Sequence, residues 1–259
     1  MADVARAALG LRSRTKIAPY PNRGARPMRS QDIHLIRHLP LFVEVPPDQM
    51  PELLQSALLQ RFPPGTRLFG QGEVPDFLHI LIEGVVELYA VSAEGRESTI
   101  ELLSPVDSFI LAAVLLDTEY LMAARVLEPA RILMLPAQHL RGEITRRPKL
   151  ALAMLASMAG QFRTMVRQIK DMKLRTGTQR LAAYLLRLHR TGGTPVTLPA
   201  SKRVLAGRLG MAPENLSRAF AALREHGVAV QGGTIQLTNI PALEAYCLPD
   251  ALIDDPEPR

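Results

Sequence analysis

Three side chains in the C-terminal part of the chain, Glu214, Ser217 and Arg218, have the types and the spacing needed to read DNA bases. Residues three and four positions apart lie on one face of an α-helix. There an arginine can donate two hydrogen bonds to guanine, a glutamate can accept one from cytosine, and a serine can do either. The alternative is a solvated helix face on which Glu214 and Arg218 pair with each other. The charge of the surrounding segment favours base reading.

The positive charge of the chain is concentrated around these residues. The 259 residues carry a formal net charge of +6, with a pI near 9.8. From position 175 to 226 the only acidic residues are Glu214 and Glu225, whereas the basic residues are Arg175, Arg180, Arg187, Arg190, Lys202, Arg203, Arg208, Arg218 and Arg224. This distribution is typical of a nucleic-acid-binding surface. The expected contacts to the DNA backbone are Ser201, Lys202, Arg203 and Arg208.

The elements that would position the base-reading residues form a winged helix-turn-helix. A helix over Ser201–Arg208, a turn at Leu209–Ala212 and a second helix over Pro213–Glu225 have the apolar spacing of two packed helices. Gly210 suits the tight turn, and proline is common at the first position of a helix. Residues 228–237 then predict a β-hairpin turned at a Gly pair, which is the wing.

A long helix is predicted over Lys149–Lys173, ahead of the DNA-reading segment. Its apolar residues recur at alternating steps of three and four, which is the pattern of a coiled-coil seam: Leu155, Met158, Phe162, Met165, Ile169 and Met172. The alternative is that this stripe packs on the chain's own sheet. The narrow seam favours a parallel homodimer.

The N-terminal half of the chain predicts an antiparallel β-roll. Short β-rich runs separated by turn signals follow one another without intervening helices: Thr66–Phe69, Phe77–Ile82, Val85–Val91, Ser98–Leu103, Ala123–Leu127 and Arg131–Pro136. The prediction is therefore an α+β chain in four parts: a disordered basic arm over 1–30, a β-roll sensor domain over 31–148, a dimerisation helix over 149–175 and a winged helix-turn-helix domain over 176–259.

Composition and motifs disfavour other classes of protein. The chain has one cysteine, Cys247, which excludes an iron-sulfur cluster or cysteine-ligated zinc site within one chain. Neither a long apolar span nor a signal peptide is present, so we expect a cytoplasmic protein without a membrane partner. An enzyme is the weakest hypothesis, because there is no nucleophile-base pair, metal-ligand cluster or phosphate-binding glycine loop.

The chain resembles the CRP/FNR family of bacterial transcription regulators over roughly residues 36–243. The motifs that carry the resemblance are Pro63–Thr66, Gly70–Glu73, Ile82–Val86, Leu205–Gly210 and the Glu-x-x-Ser-Arg of the second helix. The FNR branch of this family reads TTGAT-type half-sites with those residues of the second helix. The cyclic AMP receptor branch has other residues at some of the corresponding positions. The resemblance thus implies a homodimer on a TTGAT-like palindrome in double-stranded DNA, with RNA polymerase as a further partner.

The residues with which relatives bind a cyclic nucleotide are absent. Ile110 and Leu111 stand where the family has Gly-Glu, and Tyr120 with Leu121 stands where it has Arg with Ser or Thr. A buried phosphate without a paired charge is unfavourable, so no cyclic nucleotide is expected. What remains is an apolar set that predicts an effector pocket or plain core: Phe109, Ile110, Leu111, Val114, Leu115, Leu116, Tyr120 and Met122.

Two further segments, Leu116–Thr118 with Tyr120 and Leu198–Lys202, are similar to the dissimilatory nitrate respiration regulator branch. That resemblance implies haem b in the apolar pocket, a response to nitric oxide or another diatomic gas, and activation of denitrification genes. Of the six histidines, His34 and His38 are the candidate iron ligands because they share a helix face, while the facing of His79 in its strand is undecided. A regulator with another apolar effector, or with none, is the alternative.

Overall fold

The computed structural model describes residues 26–27, 33–34, 36–39, 41–105, 107–231 and 233–254. Most of the arm predicted for residues 1–30 lies outside these ranges. Its described part, strand β1 (Arg26–Pro27), pairs antiparallel with Leu58 and Leu59. These two residues of the predicted arm therefore belong to the sheet.

The predicted antiparallel roll is confirmed. Among the described residues its sheet has seven strands in the order β1-β2-β7-β4-β5, with β3 on β7 and β6 on β4. The remaining strands are β2 (Leu58–Phe62), β3 (Arg67–Phe69), β4 (Phe77–Val91), β5 (Glu97–Leu103), β6 (Ser108–Phe109) and β7 (Ala123–Pro136). Two short helices accompany them, α1 (Met50–Leu54) and α2 (Leu111–Leu116).

The structure corrects three local predictions in this half. The expected turn at Glu83–Gly84 is a register shift inside the continuous strand β4. Gly84 has φ +94°, and a Cβ there would lie 2.4 Å from the Pro129 carbonyl oxygen, so glycine lets the two long strands stay paired. The two runs at 123–127 and 131–136 are likewise one strand. Strand β2 (Leu58–Phe62) lies ahead of the first predicted β-rich run.

Two apolar cores fill the roll. One lies among the segment around Phe42, α1 and the start of the long helix, where Leu150 and Met154 are buried. The other lies between the strands and contains Phe69, Phe109 and Tyr120. Helix α3 (Ala137–Arg146), which the sequence analysis did not predict, leads into the long helix α4 (Pro148–Leu174).

The C-terminal part is a winged helix-turn-helix with its own core, as predicted. It contains α5 (Gly177–Gly192), β8 (Val196–Thr197), α6 (Lys202–Arg208), α7 (Pro213–Ala222), a 3₁₀ turn (Leu223–His226), the wing strands β9 (Val228–Gln231) and β10 (Thr234–Leu237), α8 (Ile240–Cys247) and α9 (Ala251–Asp254). The sheet order is β8-β10-β9. The predicted second helix thus ends in a tighter turn after Ala222.

Candidate nucleic-acid interface and sensor site

Helix α7 presents the three base-reading candidates to solvent. Its inner face buries Leu216, Ala219 and Phe220, whereas Glu214, Ser217 and Arg218 are exposed. The Ser217 hydroxyl donates to the Pro213 carbonyl oxygen at 3.3 Å. No ion pair joins Glu214 to Arg218 in the part of the chain that the structure describes. Both charged groups are therefore available to a ligand.

Helix α6 places two cations beside this face. Ser201 is its N-cap and accepts a hydrogen bond from the Val204 amide at 3.4 Å. Lys202 and Arg203 follow it and are exposed, and the Lys202 Nζ lies 5.5 Å from the centroid of the Phe220 ring on α7. The N-terminus of α6 and the exposed face of α7 thus form one surface.

Arg208 does not belong to this surface, which corrects its predicted role at the DNA backbone. Its guanidinium lies 2.5 Å from a carboxylate oxygen of Glu101 on β5, and its side chain is 19% exposed. Two other basic residues of this segment also bind groups within the chain. Arg175 pairs with Asp171 and Asp254, and Arg180 donates to the Leu209 and Arg175 carbonyl oxygens.

The pair between Arg208 and Glu101 is part of a junction between the roll and the DNA-reading unit. A Cβ on Gly207 would lie 2.9 Å from the Thr99 amide nitrogen, so α6 approaches β5 as closely as a glycine permits. Glu101 also accepts a hydrogen bond from Gln168 on α4. One carboxylate of the roll therefore contacts both the long helix and the helix-turn-helix. No spacing in the sequence signals this junction.

The predicted seam of α4 is largely exposed in the single chain. Phe162 is 65% exposed, and Leu155, Met165, Ile169 and Met172 are also exposed. Met158 is the exception, because it packs on the core beside α1. The alternative in which the whole stripe packs on its own sheet is therefore not what the structure shows.

The predicted effector residues do not line one pocket. Phe109, Tyr120, Ile110 and Met122 belong to the core between the strands, whereas Leu111, Val114 and Leu115 belong to the core beside α1. Leu116 is 69% exposed and lies outside both. They separate because Leu111 and Val114 on α2 pack in the core that contains Leu78 and Ile80 of β4, whereas Phe109 packs in the other core.

A buried histidine that the sequence analysis left undecided lies in the core between the strands. His79 on β4 is 3% exposed, and neither of its ring nitrogens has a hydrogen-bond partner among the described residues. Its ring centroid is 5.4 Å from that of Phe109, with the rings stacked, and 5.4 Å from that of Phe69. The predicted ligands His34 and His38 are instead exposed.

Burial sets the charge of His79. Desolvation lowers its pKa from 6.5 to about 4, and the backbone of Phe77, which lies near the ring but does not meet hydrogen-bond geometry, opposes that shift only in part. The imidazole is therefore neutral near pH 7.

The backbone is strained next to this histidine. Ile110, directly after strand β6, has φ +66° and precedes helix α2. A β-branched residue rarely adopts this left-handed conformation.

Two general features of the described residues bear on the class of site. They contain no cluster of three or more His, Cys, Asp or Glu side chains that could hold a metal ion. Within the same residues no helix is both long and apolar enough to cross a bilayer.

Comparison with known proteins matches both halves of the chain to described domains. Residues 59–147 match the cyclic nucleotide-binding domain, and residues 179–246 match the Crp-like helix-turn-helix domain. Among curated proteins, the Cyclic AMP receptor protein of Thermus thermophilus is 28% identical over 206 residues, which cover 79% of this chain and 95% of that protein. The transcriptional activatory protein AadR of Rhodopseudomonas palustris is 26% identical over 221 residues, which cover 82% of this chain and 90% of that protein.

Solved structures show the same architecture. A regulatory protein of Silicibacter pomeroyi DSS-3 is 32% identical, with a TM-score of 0.57 over 84% of this chain and 98% of that one. FixK2 of Bradyrhizobium japonicum has a TM-score of 0.65 at 21% identity, over 73% of this chain and 96% of its own, which shows the fold.

Proposed function

Because the chain belongs to the CRP/FNR family of DNA-binding transcription regulators, we propose that it binds a TTGAT-like palindrome as a homodimer and regulates transcription in response to a ligand of its β-roll. The observation that carries this proposal is the exposed face of α7. There Glu214, Ser217 and Arg218 stand free of internal ion pairs among the described residues, beside the exposed Lys202 and Arg203.

The base-reading geometry follows from the position of these residues in α7. In a helix-turn-helix the N-terminal part of the second helix enters the major groove. Glu214 and Arg218 lie in its first two turns, and Pro213 at the first helical position leaves no amide to be satisfied there. The Glu-x-x-Ser-Arg arrangement matches the FNR-type helix rather than that of the cyclic AMP receptor branch.

The palindromic form of the proposed DNA site follows from dimerisation of the chain through α4. The exposed apolar residues of α4 are too large and too regularly spaced for a solvated helix face, and a parallel coiled coil would bury them. Two copies related by a two-fold axis present two α7 helices, so the DNA site has two inverted half-sites. RNA polymerase is the further partner that this mode of regulation implies.

A binding experiment tests the DNA proposal. Fluorescence anisotropy with a labelled TTGAT palindrome should show saturable binding that weakens as salt increases, because phosphate contacts release counterions. A palindrome with both half-sites scrambled is the control. Equal affinity for the two DNAs, with or without haemin and nitric oxide, would show that the proposed sequence preference is wrong.

For the effector, we propose haem b and a diatomic gas such as nitric oxide, with activation of denitrification genes as the output. Among the predicted effector residues no cation is present to pair with a cyclic phosphate, since Ile110, Leu111, Tyr120 and Leu121 occupy the positions concerned. Haem would need apolar surroundings and a side chain such as histidine to hold its iron, and the interior of the roll contains aromatic side chains and the imidazole of His79. Haem would supply the gas-binding iron, and the chain would supply the axial ligand and an apolar environment.

A second candidate is a regulator of the same kind without an effector. The observation in its favour is dense packing, because Phe109, Leu111 and Tyr120 are all almost fully buried. Titration of the purified protein with haemin separates the two candidates. A saturable Soret band near one haem per chain supports the first, and tight DNA binding without any such band supports the second.

A further inference from the structure

We propose that residues 250–254 form a strap that fixes the angle between the dimer helix α4 and the DNA-reading unit, so that Asp254 and Arg175 are positioning residues for the spacing of the two half-sites. This role presupposes the proposed function, because only a dimer on a palindrome has a spacing to select. The strap lies beyond residues 179–246, the part of the chain that matches the Crp-like helix-turn-helix domain.

The hinge that the strap would hold is short. Helix α4, which carries the exposed seam, ends at Leu174, and α5 begins at Gly177, so two extended residues, Arg175 and Thr176, join the helices. Helix α5 shares its apolar core with α7, so rotation about these two residues would move the reading helix relative to the seam. The positions of the two α7 helices in a dimer therefore depend on the conformation of this hinge.

The side chain of Arg175 connects the hinge to the strap. It is 4% exposed, and its two terminal nitrogens donate to the two carboxylate oxygens of Asp254 at 2.8 and 2.5 Å. The same nitrogens donate to the Leu248 carbonyl oxygen and to the Asp171 carboxylate, each at 3.1 Å. A bidentate pair between arginine and a carboxylate is strong and fixes the relative orientation of the two groups. One guanidinium thus joins the end of α4 to the segment that follows α8.

Polar contacts, rather than an apolar core, hold the strap in place. None of the four described residues of α9 is buried, and Leu252 is 71% exposed. The Lys170 Nζ on α4 lies 3.4 Å from an Asp250 carboxylate oxygen, and Asp254 accepts a hydrogen bond from the Asp250 amide at 2.9 Å. Burial would raise the pKa of Asp254, but hydrogen bonds from Arg175 and the Asp250 backbone hold it below its usual value, so the carboxylate is charged at neutral pH. Loss of this charge would leave the buried Arg175 incompletely paired, which is unfavourable and would release the strap.

The reading unit has contacts that keep it folded without the strap. Arg180 on α5 donates to the Leu209 and Arg175 carbonyl oxygens at 2.9 and 2.7 Å, and Thr176 caps the start of α5. These contacts attach α5 to the turn of the helix-turn-helix and do not involve residues 250–254. Release of the strap would therefore free the angle at the hinge and leave both parts folded.

A fixed hinge would make the dimer selective for the spacing of the half-sites. One added base pair displaces the second half-site by about 3.4 Å and rotates it by about 35°. A dimer with fixed hinges cannot follow this change without losing contacts at one half-site, whereas a dimer with freed hinges can. The fixed dimer also binds the matching spacing more tightly, because it loses less conformational freedom on binding.

The test uses the full-length protein and three variants. Asp254→Asn removes the charge at nearly constant size, Asp254→Glu keeps it, and Glu244→Gln removes a charge from a surface pair with Arg190 in the same unit. Hydrogen exchange of residues 171–180 in the free protein should become faster in Asp254→Asn only.

The same four proteins are then compared on TTGAT palindromes whose spacers differ by one base pair. The ratio of the affinities for the best and the neighbouring spacers should fall by at least about fivefold in Asp254→Asn, which is the lower end of typical coupling between two sites. Asp254→Glu should keep most of the wild-type ratio, and Glu244→Gln should keep all of it. Affinity for a single half-site, which has no spacing, should be equal in all four proteins.

Each outcome decides a part of the proposal. Unchanged exchange at the hinge in Asp254→Asn would overturn the strap. Faster exchange with an unchanged spacer ratio would contradict the positioning role, and so would an equal loss of the ratio in Glu244→Gln. If the wild type does not distinguish the palindrome from its scrambled control, the proposed function is wrong, and the exchange measurement still decides whether Asp254 holds the hinge.

Discussion

In the proposed complex with DNA, Arg218 is the residue on which base reading would depend most. Its exposed guanidinium on α7 has the reach and the two parallel donors that guanine accepts. We expect Arg218→Ala to weaken binding to the palindrome by about 1 to 3 kcal/mol and to relax the preference at one base pair of each half-site. Competition with half-sites substituted one position at a time measures this.

Lys202→Ala is the matched control for Arg218→Ala. Because Lys202 would neutralise a phosphate, its loss should weaken binding to all sequences alike and reduce the salt slope by about one. An unchanged base preference in Arg218→Ala would contradict the contact.

His79 makes the stability of the chain sensitive to acid. Its pKa is about 4 in the folded protein and 6.5 in an ordinary environment, so between these values the unfolded chain binds more protons. The free energy of unfolding should therefore be fully present above about pH 6.5 and fall by on the order of 3 kcal/mol as the pH decreases to 4. Urea unfolding across this range measures it. His79→Phe, which cannot titrate, should lose less stability over the same interval, and an equal loss would contradict the prediction.

At the scale of the element, α7 begins without a side-chain cap. Ala212 has the extended conformation of an N-cap, with φ −71° and ψ 151°, but offers no acceptor. Ala212→Ser should stabilise the helix by about 1 kcal/mol and slow hydrogen exchange of the Glu214 and Asn215 amides. Ala221→Ser, at an exposed position in the last turn of the same helix, should not stabilise it, because serine there cannot cap the N-terminus and has a lower helix propensity than alanine. Equal effects of the two changes would contradict capping.

The seam of α4 makes a prediction about assembly. Burying Phe162 against a second copy contributes about 1.5 to 3 kcal/mol for each chain, and a charge in its place would be buried without a partner. Phe162→Asp should therefore convert the dimer to monomers in analytical ultracentrifugation and abolish tight binding to the palindrome. Thr164→Asp, on the same helix but outside the seam, should remain dimeric. A dimeric Phe162→Asp protein would place the interface elsewhere.

At the scale of the whole molecule, the close approach of α6 to β5 couples the two halves. A methyl group at position 207 would lie 2.9 Å from the Thr99 amide nitrogen and 3.0 Å from its hydroxyl oxygen. Gly207→Ala should therefore separate α6 from β5 and break the pair between Arg208 and Glu101, while both domain cores stay folded. Hydrogen exchange should become faster in residues 97–103 and 202–208 only. Gly142→Ala, where a Cβ meets open space, is the control.

Much of this molecule could be predicted from the sequence, because the determining signals are local. The two helices of the helix-turn-helix, the wing and the seam of α4 follow from spacings of a few residues, and the strands follow from alternation and turn residues. The sequence predicted two short strands in place of each of the long strands β4 and β7. A glycine that is typical of a turn can also permit a β-bulge inside a continuous strand.

Only the tertiary structure decided which side chains meet across the chain. It separated the apolar residues that follow β6 into two cores, placed Arg208 against Glu101, and enclosed His79 among rings from β3, β4 and β6. These outcomes depend on contacts between residues far apart in sequence, for which a local pattern holds no information. The sequence by itself thus determined the helix-turn-helix with its exposed second helix, and the packing of the chain determined how the roll, the long helix and the helix-turn-helix contact one another.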